Sequence, residues 1–311
     1  MTRKITWLFL LLMLQSGLVI YLWGVSGKTD EAGTTARLIA IDNMDAIGQI
    51  EIRSGSEALV LVKKDKRWSM PDYYGLPVNE GMVDSLLSKL DAADTGWVVA
   101  QTKSAAERFH VSVDNSRRHL LLSLRDNSKA ELFFGDSPGL NSIYVRRQAD
   151  KKIYSIKLGL HDLSVNGNDW LDKNLLQLGT DIAKISADGF ELINQDEIWL
   201  LGDLKPDESM NADEVNLLVS YLEKIQVEDI FYIAADKNTL TRPDISLTAH
   251  IDNDMIQYDF FSQDDNYFVK SSKHEHYFKI AKFFFENIEK FQRKNLLAVV
   301  AGERTPVLPL K

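Results

Sequence analysis

"LPVNEGMVDSLLSKLDAADTGWVV" (Leu76–Val99) reads against "ESMNADEVNLLVSYLEKIQVEDIFYI" (Glu208–Ile233). Asn79 aligns with Asn211, Val83 with Val215, Leu86 with Leu218 and Leu90 with Leu222, all at one offset of 132 residues. In both stretches an asparagine precedes apolar residues spaced i, i+3 and i+7, which is one face of a helix. Asparagine suits an N-cap because its side-chain oxygen accepts an otherwise orphaned backbone N–H. Glu214 stands three residues after Asn211, which predicts a capping box.

Strand material flanks each helix. "IGQIEIRSG" and "ALVLVKKDKRWSM" precede the first, closing on Trp68. "IAKISADGFELINQDEIWLL" precedes the second, with Trp199 in the matching place. Downstream, Arg118–Ile156 reads as four strands separated at Asp126–Ser128, Gly135–Asn141 and Gln148–Lys151. Ile245–Ile280 reads the same way, with breaks at Asn253-Asp254, Gln263–Asn266 and Ser272–His274. Short turns require antiparallel pairing, because parallel strands need long crossovers. Both halves end in similar words, "DKNLL" (Asp172–Leu176) and "RKNLL" (Arg293–Leu297). The expected fold is α+β: two tandem related domains, each a β-β-α unit followed by a four-stranded antiparallel meander. The boundaries expected are 38–179 for the first domain, 180–300 for the second and 301–311 for an extended tail.

Ahead of these domains, "TWLFLLLMLQSGLVIYLWG" (Thr6–Gly24) is apolar except for Thr6, Gln15 and Ser16. As a helix it spans roughly 28 Å, close to a bilayer core of about 30 Å. Trp7, Tyr21 and Trp23 sit near its ends, at headgroup depth. Arg3 and Lys4 favour a cytoplasmic N-terminus. Residues 1–27 therefore read as one transmembrane anchor in the inner membrane, residues 28–37 as a flexible tether, and the remainder as periplasmic. The rival reading is a signal peptide cut after Gly27, but its apolar region is longer than such peptides use.

The net charge is −9, and Arg3 and Lys4 are the only charges in the first 27 residues. An acidic chain argues against nucleic acid and against electrostatic adhesion to anionic lipid. The absence of cysteine excludes disulfides and thiolate chemistry.

Gly135-Asp136-Ser137-Pro138-Gly139 fits the G-x-S-x-G pattern of a serine-hydrolase elbow. A strand rather than a helix follows it. The oxyanion hole of that motif uses the N–H of the residue after the serine, and here that residue is Pro138, which has none. The stretch reads as a turn. His274 and His276 share one face if extended, yet no third metal ligand is near them. The acidic stretches His250–Met255 and Ser262–Tyr267 lack the glycine and terminal glutamate of a calcium loop. No phosphate-binding glycine motif occurs. The reading carries no catalytic residue, no cofactor and no metal.

Phe283, Phe284 and Phe285 are consecutive, so on a helix they splay over about 200°. At least one is expected to leave its own core, and the favoured reading is burial between the two repeats, the alternative being a contact surface for another protein. Together with Tyr73 and Tyr74 they are the candidate partner-contact residues.

With the anchor and the repeat in hand, the chain resembles the domain-of-unknown-function 4340 family. The residues that carry the likeness are "RWSMP" before "VNEGMVDSLLSKL", "ELFFGDSPGLNSIYVRR" before "KKIYSI", and "WLDKNLL" at Trp170–Leu176. The second half lacks the glycine-rich turn and the tryptophan-containing "DWLDKNLL". The resemblance implies a membrane-anchored envelope component beside an ABC-type permease and ATPase, similar to gliding-motility auxiliary proteins. The function expected is that of a non-enzymatic periplasmic accessory protein. The alternatives are an envelope hydrolase or glycan-active enzyme with an unrecognised carboxylate site, and a soluble-ligand receptor, which the meander pattern disfavours.

Overall fold

The computed structural model describes residues 15, 37–179, 181–231, 240, 242–251 and 254–298. The expected anchor, the tether and the tail lie outside these residues, apart from Gln15 and Arg37. Among the described residues no helix is long and apolar enough to cross a membrane.

The protein is α+β, built mostly of antiparallel strands. Its first elements are β1 (Ile47–Ser54), β2 (Glu57–Lys64), β3 (Arg67–Met70), β4 (Leu76–Pro77), α1 (Glu80–Asp91), β5 (Val98–Ala100) and α2 (Lys103–Arg108). A meander follows in β6 (Arg118–Leu124), β7 (Lys129–Phe134), β8 (Ile143–Arg147) and β9 (Ile153–Ile156). The short helix α3 (Gly167–Trp170) leads to β10 (Ile182–Ala187), β11 (Phe190–Gln195), β12 (Ile198–Leu201), α4 (Ala212–Glu223) and β13 (Val227–Phe231). The last meander is β14 (Ile245–Ile251), β15 (Asp254–Gln263), β16 (Asn266–Ser271) and β17 (Tyr277–Ile280), followed by α5 (Lys282–Glu289).

Two sheets result. One runs β4-β3-β2-β1-β6-β7-β8-β9-β5 and the other β12-β11-β10-β14-β15-β16-β17-β13. With β4 set aside, the two orders match strand for strand. The sequence reading of β-β-α is short of β3 and β4 before α1, of β12 before α4, and of β5 and β13 after these helices. "ALVLVKKDKRWSM" is a hairpin, β2 and β3, that pivots on Asp65 and Lys66 at φ 49° and 68°. "FELINQDEIWLL" does the same on Asp196 and Glu197 at φ 50° and 67°. Both are two-residue turns with left-handed central residues, the geometry that matches strand twist. Neither contains the glycine that normally announces such a turn. In both, a tryptophan sits in the same register: Lys63 pairs Trp68, and Asn194 pairs Trp199.

The second overlooked strand follows each helix. β5 pairs with β9, and β13 pairs with β17, each at a sheet edge and each with a register shift, at Val98/Ala100 and at Val227/Asp229. An irregular edge strand is a poor template for unwanted pairing.

The helices form as their periodicity dictates. Val83, Leu86 and Leu90 of α1 and Val215, Leu218 and Leu222 of α4 are fully buried. Asn79 Oδ1 accepts the N–H of Met82 at 3.3 Å, and Asn211 Oδ1 accepts that of Glu214 at 3.4 Å. The capping box expected at Asn211 does not close on the Glu214 side chain. The Asn211 N–H donates instead to the Leu296 carbonyl at 2.8 Å, and the Asn79 N–H donates to that of Trp170 at 2.8 Å. Antiparallel bridges Val78–Leu171 and Met210–Leu297 lie beside these bonds. The equivalent of "RKNLLA" is thus "GNDWLD", and the shared words "DKNLL" and "RKNLL" occupy different places.

The chain divides into two compact units. Among the described residues, one gathers 37–47 with Glu51–Glu57 and Ser85–Leu163; the other gathers Gly48–Ile50, Ala58–Asp84 and 164–298. In the first, Ala105, Ala106, Val111, Phe133 and Ile153 pack together. In the second, Leu240, Phe261 and Phe268 pack with Phe231 and Tyr277.

Candidate functional site

The five residues between β3 and β4 carry Tyr73 and Tyr74. Met70 closes this loop by accepting the N–H groups of Tyr73 at 3.0 Å and Gly75 at 2.9 Å. The closure forces Tyr74 to φ 59°. A bulky residue rarely adopts that conformation, which costs roughly 1–2 kcal/mol. Strain of this kind gathers at functional sites.

Tyr73 anchors the loop. Its ring lies so flat on Gly167 that a Cβ there would come within 2.9 Å of it. Gly167 begins α3, whose N-cap Asn166 accepts the Asn168 N–H at 3.0 Å. The helix ends in Trp170, buried, with Nε1 donating to the Ser164 carbonyl at 2.9 Å. The Tyr73 hydroxyl donates to Asp229 of β13 at 3.3 Å. Burial, and then the neighbouring Asp229 carboxylate, push the Tyr73 hydroxyl up to about 12. It therefore stays a donor across the physiological range.

Lys173 completes this base. Its Nζ donates to Asn168 Oδ1 at 2.6 Å and to the Glu228 carbonyl at 2.5 Å. Its own carbonyl accepts the Val227 N–H at 2.9 Å. Burial holds the ammonium below the usual lysine range, although Asp229, Asp169 and Glu228 oppose the shift.

Above the base, the Tyr74 side is open. Tyr74 is 49% exposed. Its ring stands 4.4 Å from that of His276, tilted by 46°. His274 lies in the same turn between β16 and β17. Burial, then His276 and Lys273, hold its imidazole below the ordinary histidine value, against the pull of a hydrogen bond with Leu175. Among the described residues, no group of three His, Asp or Glu side chains is placed to hold a metal ion. The arrangement is an aromatic ledge on a rigid polar support. It offers an amphipathic contact surface of tilted rings.

Phe283, Phe284 and Phe285 divide as a helix requires. Phe283 is 69% exposed, whereas Phe284 and Phe285 are buried. Phe284 meets Tyr221 edge-on at 5.7 Å, and Phe285 lies 4.9 Å from Tyr267. No ring contact joins these residues to Tyr73 or Tyr74 among the described residues. His276, Lys173 and Asp229 were not singled out with the tyrosines in the sequence. They come from segments far along the chain, and no local pattern points to them.

The turn around Ser137 is a structural device. Ser137 Oγ lies 2.5 Å from the Gly139 carbonyl and 2.6 Å from that of Ser142, so its proton stays within the loop. Asp136 next to it binds His110 Nδ1 at 2.6 Å and Arg117 Nε at 2.9 Å. Gly135 is required because a Cβ would fall 1.9 Å from the Phe109 carbonyl.

No curated protein and no solved structure matches this chain. Residues 68–244 match the family model described as Domain of unknown function (DUF4340). That match spans more than half of the 311 residues, so the chain belongs to the DUF4340 family.

Proposed function

We propose that this protein is a non-enzymatic accessory component of an envelope complex, tied to the inner membrane by residues 1–27. Two tandem copies of one α+β module, facing the periplasm, form its body. The matching strand orders and the paired Asn79–Trp170 and Asn211–Leu296 clips support that duplication. The partners are the permease and ATPase subunits of an ABC-type transporter, as the sequence resemblance implies.

The observation that carries the binding role is Tyr74, half exposed and held in a strained conformation on a braced base. Exposed aromatics of this kind are enriched at the centres of protein interfaces. The test is affinity purification from detergent-solubilised native membrane, comparing the natural chain with Tyr74→Ala. Permease and ATPase chains are expected with the first and depleted with the second. Equal recovery with both would remove the ledge from the interface, and failure to recover either subunit would refute the transporter assignment. Retention in the membrane pellet after alkaline carbonate extraction tests the anchor separately.

A further inference from the structure

A cleft of about 440 Å³ opens in the first unit, between the start of α2 and the end of β8. Arg146 lines it, fixed by its backbone surroundings. Its Nε donates to the Val111 carbonyl at 2.8 Å, and Nη1 donates to those of Arg147 and Asp150 at 3.2 and 3.3 Å. Its guanidinium stands 4.7 Å over the Phe133 ring. All these acceptors are neutral carbonyls; the Asp150 and Glu131 carboxylates attract the guanidinium without forming an ion pair with it, and Nη2 makes no hydrogen bond among the described residues. A partly buried guanidinium with unused N–H donors favours an anionic acceptor.

Lys103 and Lys151 also line the cleft. Neither forms an ion pair among the described residues. The Ser112 hydroxyl, on a residue 9% exposed in the same wall, has no hydrogen-bond partner. Buried hydroxyls are normally satisfied. Glu107 and Asp114 share the wall. A wall of mixed charge suits a small anion better than a polyanion.

We propose that this cleft binds a small ligand through one oxyanion group, a carboxylate or a phosphate monoester. Arg146 is the fixed donor, Lys103 and Lys151 close over the anion, and the Ser112 hydroxyl turns to donate once the ligand is present. The proposal is independent of the aromatic ledge, which lies in the other unit.

The experiment titrates the full chain in mild detergent with inorganic phosphate and with acetate at ionic strength fixed by chloride. Binding is read by calorimetry and by the Arg146 side-chain nitrogen shift. Saturable binding of at least one anion is expected. Phosphate alone identifies a phosphate-bearing ligand, and acetate alone a carboxylate. The double variant Lys103→Gln/Lys151→Gln should fold normally and bind about tenfold more weakly. Ser112→Ala should keep or raise the melting temperature, because it deletes an unsatisfied hydroxyl, yet weaken binding several-fold. Absence of saturable binding by either anion overturns the proposal. So does unchanged affinity in the double variant. Arg146 variants are avoided because its carbonyl bonds also support the fold.

Discussion

Asn79 donates its backbone N–H to the carbonyl of Trp170 at 2.8 Å while its side chain caps α1. Asn211 repeats both contacts, with Leu296 and with the first turn of α4. One residue thus starts a helix and clips a distant segment to it. Asn79→Ala and Asn211→Ala remove only the cap, since the clip uses the main chain. Each substitution should cost about 1 kcal/mol, and aspartate should restore most of it. Urea denaturation measures the loss. If only one position is sensitive, the caps are not equivalent.

Gly135→Ala should be far more damaging than Ser137→Ala. The added methyl meets the Phe109 carbonyl, and backbone cannot move aside cheaply. A loss of about 2 kcal/mol or more is expected, the scale of an overpacked core. Ser137→Ala removes a hydroxyl bonded only to loop carbonyls, so about 1 kcal/mol is expected. Circular-dichroism melts of the two variants decide the ranking.

The ledge is tested by separating Tyr73 from Tyr74. Tyr73→Phe deletes the bond to Asp229 and should cost about 1 kcal/mol. In the natural protein, Tyr73 contributes stability that is complete below pH 10 and declines toward pH 12, because the unfolded hydroxyl ionises first. Tyr73→Phe should flatten that alkaline decline. Tyr74→Gly relieves the left-handed strain of roughly 1–2 kcal/mol while losing a ring contact of about the same size. Its melting temperature should hardly move although partner recovery falls.

Acid sensitivity should trace partly to His274. Its folded form favours the neutral ring, whereas the unfolded chain takes up a proton near 6.5. Stability from this group is therefore complete above pH 6.5 and is lost as the pH falls through the lower folded value. His274→Gln should reduce the loss on acidification. A variant with an unchanged pH profile between neutrality and about pH 5 would show that His274 titrates normally.

Much of the fold was legible because it is written locally. The i, i+3, i+7 spacing after Asn79 and Asn211, and the turn residues between meander strands, act within about ten residues of sequence. The Asp65-Lys66 and Asp196-Glu197 turns escaped notice because their left-handed geometry comes without glycine. The words "DKNLL" and "RKNLL" misled because short similar strings can stand in different places. Of the candidate site, Tyr73 and Tyr74 were legible as adjacent aromatics. The run Phe283–Phe285 was legible only as a helix with one ring too many.

By itself the sequence determined the two central helices and the strands of the meanders, that the pattern occurs twice, and where asparagine starts each of those helices. Local periodicity and capping need no distant partner. Only the tertiary structure decided that Tyr74 meets His276, that Tyr73 leans on Gly167 and Asp229, and that Arg146 is held by the Val111 carbonyl. Those relations join residues far apart in the chain, and packing alone sets them.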